Sequence, residues 1–294
     1  MPNEKSSVNI HACAKINLFL DIEGRREDGY HLLSMVNARI SLHDVATCAL
    51  VEKPRITLTC SDPSLPTDER NTAYQAAFRF REQARLQQGV SIHIDKKIPV
   101  GAGLAGGSSD AAAVLLALNQ LADHPLSTDA LREIAAGLGA DVPFFFEEGI
   151  CFCSGIGERI APLQISKSPS DAPVYGVLCS PDESVSTQTA YRLWDEYENP
   201  AHSSPQNLID AITRKKWDEV PACMFNTFES VVFAHYPVVE EAYRKFAAAS
   251  PTPPRMSGSG SNLFSIHAGE SEANAVVDKL RNQGLTASVF HLLY

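Results

Sequence analysis

The chain opens with a long stretch in which apolar and polar side chains alternate. From residue 11 the sequence runs HACAKINLFLDI, with an apolar residue at every second position. An alternation with a period of two predicts a β-strand with one buried face. The buried face would hold Ala12, Ala14, Ile16, Leu18, Leu20 and Ile22, and the other face Cys13, Lys15, Asn17 and Phe19.

Strand and helix patterns alternate through the rest of the first half. The stretch HLLSMVNARISLHDVATCALV predicts two or more strands, and RITLTCS predicts another. Helical periodicity runs from Asn71 to a stop at Gly89, and VSIHID returns to strand alternation. An Ala- and Leu-rich helix is predicted from about Ser108 to Leu121, a further helix at STDALREIAAGLG, and a strand around Cys151.

A polar stretch in the middle of the chain, SKSPSDAP at residues 166–173, is the best linker candidate. It divides the chain near residue 160, so we predict one domain over residues 1–160 and a second over residues 161–294. The second half predicts a strand (VYGVLCS), helices from Ser186 to about Ser250, and a glycine turn in PPRMSGSGS. A strand (NLFSI), a helix (SEANAVVDKLRNQ) and a strand (ASVFHLL) follow. This order suits a small sheet with helices on one face, and the fold class is therefore α+β.

Composition narrows the class of partner and the location. The 25 basic residues against 35 acidic ones give a net charge of −10, and no Lys- or Arg-rich run offers a patch for nucleic acid. No stretch reaches the ~18 apolar residues of a membrane span, and the polar N-terminus carries no secretion signal. We therefore expect neither nucleic acid nor membrane as a partner, and we predict a cytoplasmic location.

The seven cysteines are scattered, which fits a reducing compartment better than a disulfide framework. Cys151 and Cys153 lie two residues apart in GICFCSG and would share one face of a strand. No His or Cys cluster beside them completes a metal site. We predict that both are small buried side chains rather than metal ligands.

The segment KKIPVGAGLAGGSSDAAAVLLAL contains the spacing G-x-G-x-x-G at Gly101, Gly103 and Gly106. A dinucleotide-binding fold needs the first glycine directly after a strand, whereas residues 96–99 intervene here. A dinucleotide-binding fold also needs an acidic residue about 20 positions after the glycines, at the end of the next strand. The nearest acidic residue here, Asp123, lies at the end of a helix. A Walker loop lacks its lysine, since Gly107 takes that position. A protein-kinase glycine loop lies between two strands, whereas a helix follows here.

A loop that holds a bulky anion remains as the favoured interpretation. Glycines let the backbone approach the anion, and the following helix points its first N–H groups and positive dipole end at it. Ser108 and Ser109 add hydroxyls that can contact phosphate oxygens or Mg²⁺. The alternative is a glycine-rich connector in which Ser108 or Ser109 is an ordinary N-cap. Four glycines exceed what a cap requires, so we favour phosphate binding.

The stretch PVGAGLAGGSSDAAAVLLAL resembles the phosphate loop of the GHMP kinases, the family of galactokinase, homoserine kinase and mevalonate kinase. AKINLFLDIEGRREDGYHLL and MSGSGSNLF fall where that family has its first and third motifs, and together the motifs span Ala12 to Phe264. The resemblance implies the two-domain GHMP kinase fold, with a ribosomal protein S5 domain 2-like N-terminal domain and a ferredoxin-like C-terminal domain. It also implies an active site in the cleft between the domains.

Within the family, the chain is similar to the members that act on a cytidine-diphosphate-linked methylerythritol. The motifs that carry this similarity are AKINLFL followed by DGYH, and LGADVPFF after the loop. Those members transfer the γ-phosphate of ATP to the 2-hydroxyl of that methylerythritol in non-mevalonate isoprenoid biosynthesis. The resemblance thus implies ATP and Mg²⁺ as cofactors, Asp141 as the base on the attacking hydroxyl, and Lys15 as the cation that positions it and stabilises charge. The alternatives that the residues alone offer are a surface lysine on a one-sided sheet for Lys15 and a turn former for Asp141.

The resemblance also implies binding residues. Tyr30 and His31 match a cytidine-binding pair, in which a ring stacks on the base and an imidazole hydrogen-bonds it; without that match they are a core aromatic and a satisfied loop histidine. Tyr191 is the best match for a second stacking aromatic, with Thr187 as a polar neighbour, and Asn17 resembles a substrate contact. The implied nucleotide contacts are Gly101, Gly103, Leu104, Ala105, Gly106, Gly107, Ser108 and Ser109, with Asn71 and Lys96 near the adenine pocket and Ser109 as a candidate Mg²⁺ contact.

The glycine turn near the C-terminus matches the third family motif, and two places in the chain depart from the family pattern. Gly258, Ser259 and Gly260 match the third motif, which packs against the phosphate loop in that family. Ala102 and Ala105 stand where relatives often have glycine, and we expect the methyl groups to be tolerated. Ser261-Asn262 replaces a smaller pair, so Asn262 is expected to narrow the space between the domains.

Two alternatives to this function have to be considered. One is another GHMP kinase with a small alcohol substrate, of the homoserine or mevalonate type. The other is a non-catalytic nucleotide-binding protein on the same fold. In the favoured interpretation the partner is a small-molecule substrate, and the chain is a monomer or a homodimer.

Overall fold

The computed structural model describes residues 7–166, 168, 171–198 and 200–294. The strands in this part of the chain are β1 (Ser7–Arg25), β2 (His31–Val51), β3 (Ile56–Cys60), β4 (Gly89–Asp95), β5 (Ile150–Gly155), β6 (Arg159–Pro162), β7 (Tyr175–Ser180), β8 (Phe225–Asn226), β9 (Arg255–Met256), β10 (Leu263–His267) and β11 (Thr286–Leu293). The α-helices are α1 (Thr72–Gln83), α2 (Gly106–Leu121), α3 (Thr128–Ala136), α4 (Thr187–Glu196), α5 (Gln206–Thr213), α6 (Val220–Cys223), α7 (Phe228–His235), α8 (Pro237–Ala249) and α9 (Glu270–Asn282). A 3₁₀ helix covers Pro143–Phe146.

The described residues form two compact units that interleave along the chain. The first unit contains residues 7–14, Leu42–Val100 and Ala105–Glu147. The second contains Lys15–Ser41, Gly101–Leu104 and Glu148–Tyr294. Strands β1 and β2 therefore each contribute to both units, and the division of the chain at residue 160 stays a prediction.

The first unit packs helices on a short sheet. The second half of β2 pairs antiparallel with β4, and β4 pairs in parallel with β3. Helix α1 packs on α2 and α3. Its inner face carries alanines and one aromatic ring that are buried: Ala73, Ala76, Ala77 and Phe80. Small side chains let the helix axes approach closely, which explains the alanine-rich sequence of α2 as well.

The second unit is built around an antiparallel sheet. Strand β11 pairs with β7, β7 with β10, and β10 with β9. The first half of β2 pairs with β5, and Leu292 of β11 lies opposite Ile40 of β2. Helix α9 packs along β7, β10 and β11, and α8 packs on α9. The predicted strands β7, β10 and β11 are confirmed, as are helices between Ser186 and Ser250, of which the described residues contain five. The short strands β8 and β9 were not predicted.

Strand β1 is buried on both faces in its central part. Every residue from Ala14 to Ile22 is buried, although the alternation predicted a single buried face. Within the sheet β1 pairs with β2 and, in parallel, with β8, where Phe19 lies opposite Phe225. Because strand pairing covers only the edges of a strand, the burial shows that other parts of the protein cover both of its faces. A surface position for Lys15 is therefore wrong, because Lys15 is 4% exposed.

Two predicted boundaries differ from the structure. The stretch predicted as two or more strands is the single strand β2, which contains no glycine or proline. It pairs with β1 and, along successive parts of its length, with β5, β11 and β4. Helix α1 ends at Gln83 rather than at Gly89. Arg85 adopts a left-handed φ of 51°, and the N–H of Leu86 bonds to the carbonyl of Arg81, which closes the helix early.

Parts of two expectations lie outside the described residues. Lys167, Pro169 and Ser170 of the predicted linker are among them, as are residues 1–6 of the polar N-terminus. Among the residues that the structure does describe, no helix combines the length and the apolar character needed to cross a membrane.

Candidate functional site

The glycine loop, residues 101–109, passes through left-handed backbone conformations before α2 begins. Gly101 and Gly103 have φ values of 67° and 76°, and Ala105 has a φ of 55°. Glycine adopts such values without steric cost, whereas an alanine loses roughly 1–2 kcal/mol. The methyl group of Ala105 is accommodated, but in a strained conformation of the kind that occurs at ligand-binding sites.

The start of α2 has no side-chain cap. The helix begins at Gly106, and Ala105 occupies the N-cap position without a side-chain hydrogen bond. The alternative in which Ser108 or Ser109 is the N-cap is therefore wrong, since both lie inside the helix. Ser109 is buried, and its hydroxyl donates to the carbonyl of Cys13 at 2.7 Å. A helix start whose N–H groups lack a cap suits an anionic ligand.

The glycine turn, residues 256–262, packs directly on the first part of the glycine loop. A Cβ atom on Gly103 would lie 2.0 Å from the carbonyl oxygen of Ser257, so only glycine fits there. The Ser257 hydroxyl donates to the Gly103 carbonyl at 2.9 Å, and the backbone N–H of Lys15 donates to the Leu104 carbonyl at 3.1 Å. The predicted packing of the third motif against the loop is confirmed.

Asn262 helps to hold the loop. It is fully buried, and its Nδ2 donates to the Ala102 carbonyl at 2.9 Å. The amide is thus enclosed and bonded to the backbone of the loop, and the expectation that Asn262 narrows the space between the domains stays a prediction.

Two residues that the sequence pattern did not single out hold the glycine turn itself. Asn226 Nδ2 donates to the carbonyls of Met256 and Gly258 at 2.7 and 2.8 Å. A carboxylate oxygen of Glu229 accepts from the Met256 N–H at 2.8 Å. Burial raises the pKa of Glu229 to about 7, although Arg255 and the Met256 N–H oppose the shift. The stretch FNTFE carries no local signal for either role.

Lys15 and Asn17 form a buried polar chain on β1. The Lys15 ammonium donates to Asn17 Oδ1 at 2.7 Å, and Asn17 Nδ2 donates to Asn37 Oδ1 at 2.6 Å. The backbone N–H of Asn17 donates to the Ser257 hydroxyl at 3.3 Å. Ser257 therefore connects Asn17 to the glycine loop. The structure brings together Lys15 and Asn17, which are both predicted site residues.

Asp141 lies in the turn between α3 and the 3₁₀ helix. The turn is held by a hydrogen bond from the Val142 N–H to the Gly139 carbonyl at 3.1 Å. Phe144 and Phe145 of the 3₁₀ helix are buried and anchor its far end. Asp141 is half-buried, and a catalytic role for it stays a prediction.

His31 lies among aromatic rings and one carboxylate. Its Nε2 is 2.7 Å from Oδ1 of Asp195 in the last turn of α4. Its ring stacks on Tyr191 at a centroid distance of 4.6 Å and meets the edge of Trp194 at 5.7 Å. The structure thus brings together the predicted His31 and Tyr191, and it adds Asp195 and Trp194, which the sequence did not indicate.

Tyr30 and Thr187 lie in the same unit but make different contacts. Tyr30 is 60% exposed, so the alternative of a core aromatic is wrong. The Thr187 hydroxyl lies 3.0 Å from that of Ser259 in the glycine turn. Thr187 therefore joins the start of α4 to the third motif.

Lys96 is enclosed between two carboxylates. Its ammonium pairs with Asp44 and, at 2.8 Å, with Asp110 in the first turn of α2. Asp44 Oδ1 also accepts from the N–H groups of Lys97 and Ile98 at 2.5 and 2.8 Å. Burial raises the pKa of Asp110 to about 7, Lys96 opposes the shift and Asp44 adds to it. This cluster lies beside Gly106 at the start of α2, since a Cβ on Gly106 would be 3.3 Å from the Lys96 ammonium.

Asn71 and the paired cysteines have structural contacts. Asn71 caps α1 by accepting from the Ala73 N–H at 2.9 Å, and its Nδ2 donates to the Pro66 carbonyl at 2.8 Å. Cys151 and Cys153 are buried on one face of β5, as predicted. Within the described ranges, no group of three or more His, Cys, Asp or Glu side chains is placed to hold a metal ion.

Comparison with known proteins identifies the family. The model described as "GHMP kinases N terminal domain" matches residues 71–149, and that described as "GHMP kinases C terminal" matches residues 208–285. A 4-diphosphocytidyl-2-C-methyl-D-erythritol kinase of Clostridium acetobutylicum is 36% identical over 94% of this chain and 96% of that protein. The chain belongs to the GHMP kinase family. A protein of the same name from Clostridium perfringens is 38% identical over 88% of both chains.

Solved structures support the GHMP kinase fold. A crystal structure of 4-(cytidine 5'-diphospho)-2C-methyl-D-erythritol kinase is 33% identical in sequence and has a TM-score of 0.80. The superposition covers 98% of this chain and 100% of the chain in that crystal structure. Homoserine kinase from Cytophaga hutchinsonii has a TM-score of 0.76 at 18% sequence identity, and the superposition covers 100% of this chain and 96% of the homoserine kinase chain. At this identity the similarity supports the shared fold alone. The predicted α+β class and two-domain GHMP kinase fold are confirmed.

In this GHMP kinase, the raised pKa of Asp110 predicts a pH dependence of stability. Between the ordinary value of 3.8 and about 7, folded Asp110 keeps a proton that the unfolded chain has lost. The free energy of unfolding should therefore fall as the pH rises through that window, by at most about 1.4 kcal/mol per pH unit for one proton. Asp110→Asn removes this contribution, so its stability relative to wild type should rise from pH 4 to pH 7.

Urea unfolding of both chains across this pH range measures the difference. Asp44→Asn is the contrasting variant, because it weakens the acceptor of two backbone N–H groups and of Lys96. It should destabilise the chain at every pH. A constant difference in stability between Asp110→Asn and wild type from pH 4 to pH 7 would contradict the shifted pKa.

Proposed function

We propose that this chain is an ATP-dependent kinase that phosphorylates the 2-hydroxyl of 4-diphosphocytidyl-2-C-methyl-D-erythritol in non-mevalonate isoprenoid precursor biosynthesis. The observation that carries the proposal is the 36–38% identity, over 88–94% of the chain, to kinases named for that substrate. Homoserine kinase and mevalonate kinase share the fold at only 18% and 11% identity. Their similarity to this chain therefore does not support homoserine or mevalonate as its substrate.

ATP is the proposed phosphate donor, and the glycine loop is its proposed binding element. The uncapped start of α2 offers N–H groups and the positive end of the helix dipole to a phosphate. Gly107 supports the same role, since no atom lies within 4 Å of the position where its Cβ would be. A phosphate can therefore approach the backbone there. We assign the contacts to Gly101, Gly103, Leu104, Ala105, Gly106, Gly107 and Ser108.

The structure alters what Asn71 and Lys96 can contribute to the adenine pocket. The Asn71 side chain caps α1, and the Lys96 ammonium is held by Asp44 and Asp110. We propose that both shape the pocket by fixing the backbone around them rather than by donating from their side chains to the nucleotide.

The proposed reaction is an in-line transfer. The substrate's 2-hydroxyl oxygen forms a bond to the γ-phosphorus, the bond from that phosphorus to the bridging oxygen of ADP breaks, and the hydroxyl proton passes to the Asp141 carboxylate. Lys15 neutralises the charge that develops on the transferred group. Its ammonium is buried and fixed by Asn17, so it holds a constant position during the reaction.

Mg²⁺ belongs to the proposal because enzymes that transfer phosphate from ATP use it to neutralise phosphate charge. Such an ion takes most of its ligands from phosphate oxygens and water. Ser109 is 2% exposed and its hydroxyl already donates to a backbone carbonyl, which fits a first contact with Mg²⁺ poorly. We therefore assign no protein ligand to the ion.

The substrate's cytosine base is assigned to Tyr30, His31 and Tyr191, with Thr187 as a polar neighbour. Asn17 is assigned as a further contact of the substrate. The exposed ring of Tyr30 supports this role, because a large aromatic side chain in water lowers its free energy by stacking on a base. His31 is already immobilised by Tyr191 and Asp195.

An assay of ADP release with four acceptors tests the proposal. The cytidine-linked methylerythritol should give the highest kcat/KM, and homoserine, mevalonate and galactose should give values at least about 10³-fold lower. A preference for one of the other acceptors would assign the chain to a different alcohol kinase. ADP release with none of them would favour the non-catalytic alternative.

Gly107→Ala tests the nucleotide site. We expect KM for ATP to rise at least about tenfold, because the new methyl group occupies the space proposed for phosphate. The thermal midpoint should stay the same or rise slightly, since alanine is the better helix former. Gly24→Ala is the matched control, as its Cβ also meets no atom within 4 Å. An unchanged KM in Gly107→Ala would rule out phosphate contact at this glycine.

The remaining expectations are part of the same proposal. We propose a cytoplasmic location, a small-molecule substrate as the partner, a monomer or homodimer, and domains divided near residue 160. The proposed substrate supports the location, since a charged diphosphate does not cross a membrane without a carrier.

A further inference from the structure

We infer that Asp195 selects cytosine over uracil by fixing which ring nitrogen of His31 carries the proton. The inference rests on the proposed function, in which His31 hydrogen-bonds the base of the substrate. Asp195 would be a specificity-determining residue that acts through His31 and does not itself touch the base.

The first step concerns the hydrogen bond between the two side chains. His31 Nε2 lies 2.7 Å from Asp195 Oδ1, and an ionised carboxylate can only accept. The proton must therefore lie on Nε2. Arg25, at 3.4 Å from Asp195 Oδ2, is a second, cationic partner of the same carboxylate.

The second step concerns the other ring nitrogen. In a neutral imidazole with its proton on Nε2, Nδ1 is a hydrogen-bond acceptor. Among the residues that the structure describes, Nδ1 of His31 has no hydrogen-bond partner. The nitrogen that remains for a ligand is therefore an acceptor, and it requires a donor.

The third step is the match to the base. Cytosine presents an exocyclic amino group, a donor, where uracil presents a carbonyl oxygen, an acceptor. An acceptor on His31 binds the amino group, and it faces the carbonyl of uracil with two lone pairs opposed. A buried pair of acceptors without a proton between them is strongly unfavourable.

The side chains packed around His31 prevent its ring from flipping, which would exchange the positions of Nδ1 and Nε2. Tyr191 stacks on one face at 4.6 Å, and Trp194 meets the ring at 5.7 Å with an interplanar angle of 89°. The indole N–H of Trp194 donates to the Thr227 hydroxyl at 3.0 Å, which fixes that ring in turn. The His31 side chain is 10% exposed, so a ring flip would have to displace packed neighbours.

Asp195→Asn reverses the direction of the hydrogen bond and tests the inference. The asparagine amide can donate to Nε2, which moves the proton to Nδ1 and turns that nitrogen into a donor. Calorimetry on the full chain with CDP and with UDP measures the effect without turnover. Wild type should bind CDP about 10- to 100-fold more tightly than UDP. In Asp195→Asn this ratio should fall at least about tenfold, and UDP should bind better than it does to wild type.

Two further variants separate this role from a structural one. Asp195→Glu keeps an acceptor-only group and should retain most of the CDP preference. Glu196→Gln alters the exposed neighbouring residue, which pairs with Arg192, and should leave the ratio unchanged. Loss of packing alone would weaken CDP and UDP binding equally, and that result would overturn the inference.

The ¹⁵N NMR signals of the His31 ring, assigned with His31→Gln, report the proton position directly. We expect the proton on Nε2 in wild type and on Nδ1 in Asp195→Asn. A proton on Nδ1 in wild type, or equal binding of CDP and UDP, would overturn the inference. Lack of turnover with the cytidine-linked methylerythritol would contradict the proposed function, while the CDP-to-UDP ratios would still decide the role of Asp195.

Discussion

Replacing Asp141 with asparagine is expected to lower kcat by about 10²- to 10⁴-fold, while the Kd values for ATP and CDP stay within about threefold of wild type. The amide has the size of the carboxylate but cannot take the proton of the attacking hydroxyl. The turn itself should persist, because the Val142 N–H bond to Gly139 and the buried Phe144 and Phe145 do not depend on the carboxylate's charge. Initial rates of ADP release at saturating substrate give kcat, and calorimetry gives the two dissociation constants.

Asp129→Asn is the matched control for this experiment. Asp129 lies in the first turn of the neighbouring helix α3, its side chain is 88% exposed, and it forms a pair with Arg132 at the surface. Such surface pairs contribute little, so its kcat and thermal midpoint should equal those of wild type. A wild-type kcat in Asp141→Asn would remove Asp141 from the reaction and leave it as a turn former.

Gly103→Ala should lower the free energy of unfolding by about 3–5 kcal/mol and abolish detectable activity. Its Cβ would lie 2.0 Å from the Ser257 carbonyl oxygen, which is a backbone atom that no side-chain rotation can move. The glycine loop or the glycine turn must therefore shift, and the hydrogen bond from the Ser257 hydroxyl to the Gly103 carbonyl would break. Urea unfolding measures the first effect and ADP release the second.

Gly101→Ala separates conformational strain from collision. Gly101 has a similar φ of 67°, yet a Cβ there would meet no atom within 4 Å. Its alanine variant should lose only about 1–2 kcal/mol, the cost of a left-handed alanine. Equal losses in Gly101→Ala and Gly103→Ala would falsify the close approach of the loop to Ser257.

Local patterns predicted most of the elements, because period and turn chemistry are local properties. Strand β1, helices α2 and α3, and strands β7, β10 and β11 follow from alternation, helical spacing and glycine turns. The two-residue strands β8 and β9 are too short to leave such a pattern. The continuity of β2 did not follow, since it depends on pairing with β1, β4, β5 and β11, which lie elsewhere in the chain. The early end of α1 depends on a left-handed arginine, a residue type that carries no turn signal.

The candidate site divides in the same way. The glycine loop could be predicted because its residue types suit one kind of ligand. Asp195 and Asn262 could not, because their hydrogen bonds reach partners 164 and 160 residues away and leave no pattern nearby. The burial of Lys15 was missed for a related reason, since alternation along β1 predicts which face a residue occupies but not whether another layer covers that face.

The packing of Gly103 on Ser257 also constrains how the molecule is made. The two residues are 154 positions apart, so the ribosome adds Ser257 roughly 8–30 s after Gly103 at about 5–20 residues per second. During that interval the glycine loop lacks the surface that shapes it. Nucleotide affinity should therefore arise late in synthesis, and a fragment that ends before residue 257 would carry the complete phosphate-binding sequence without its native conformation.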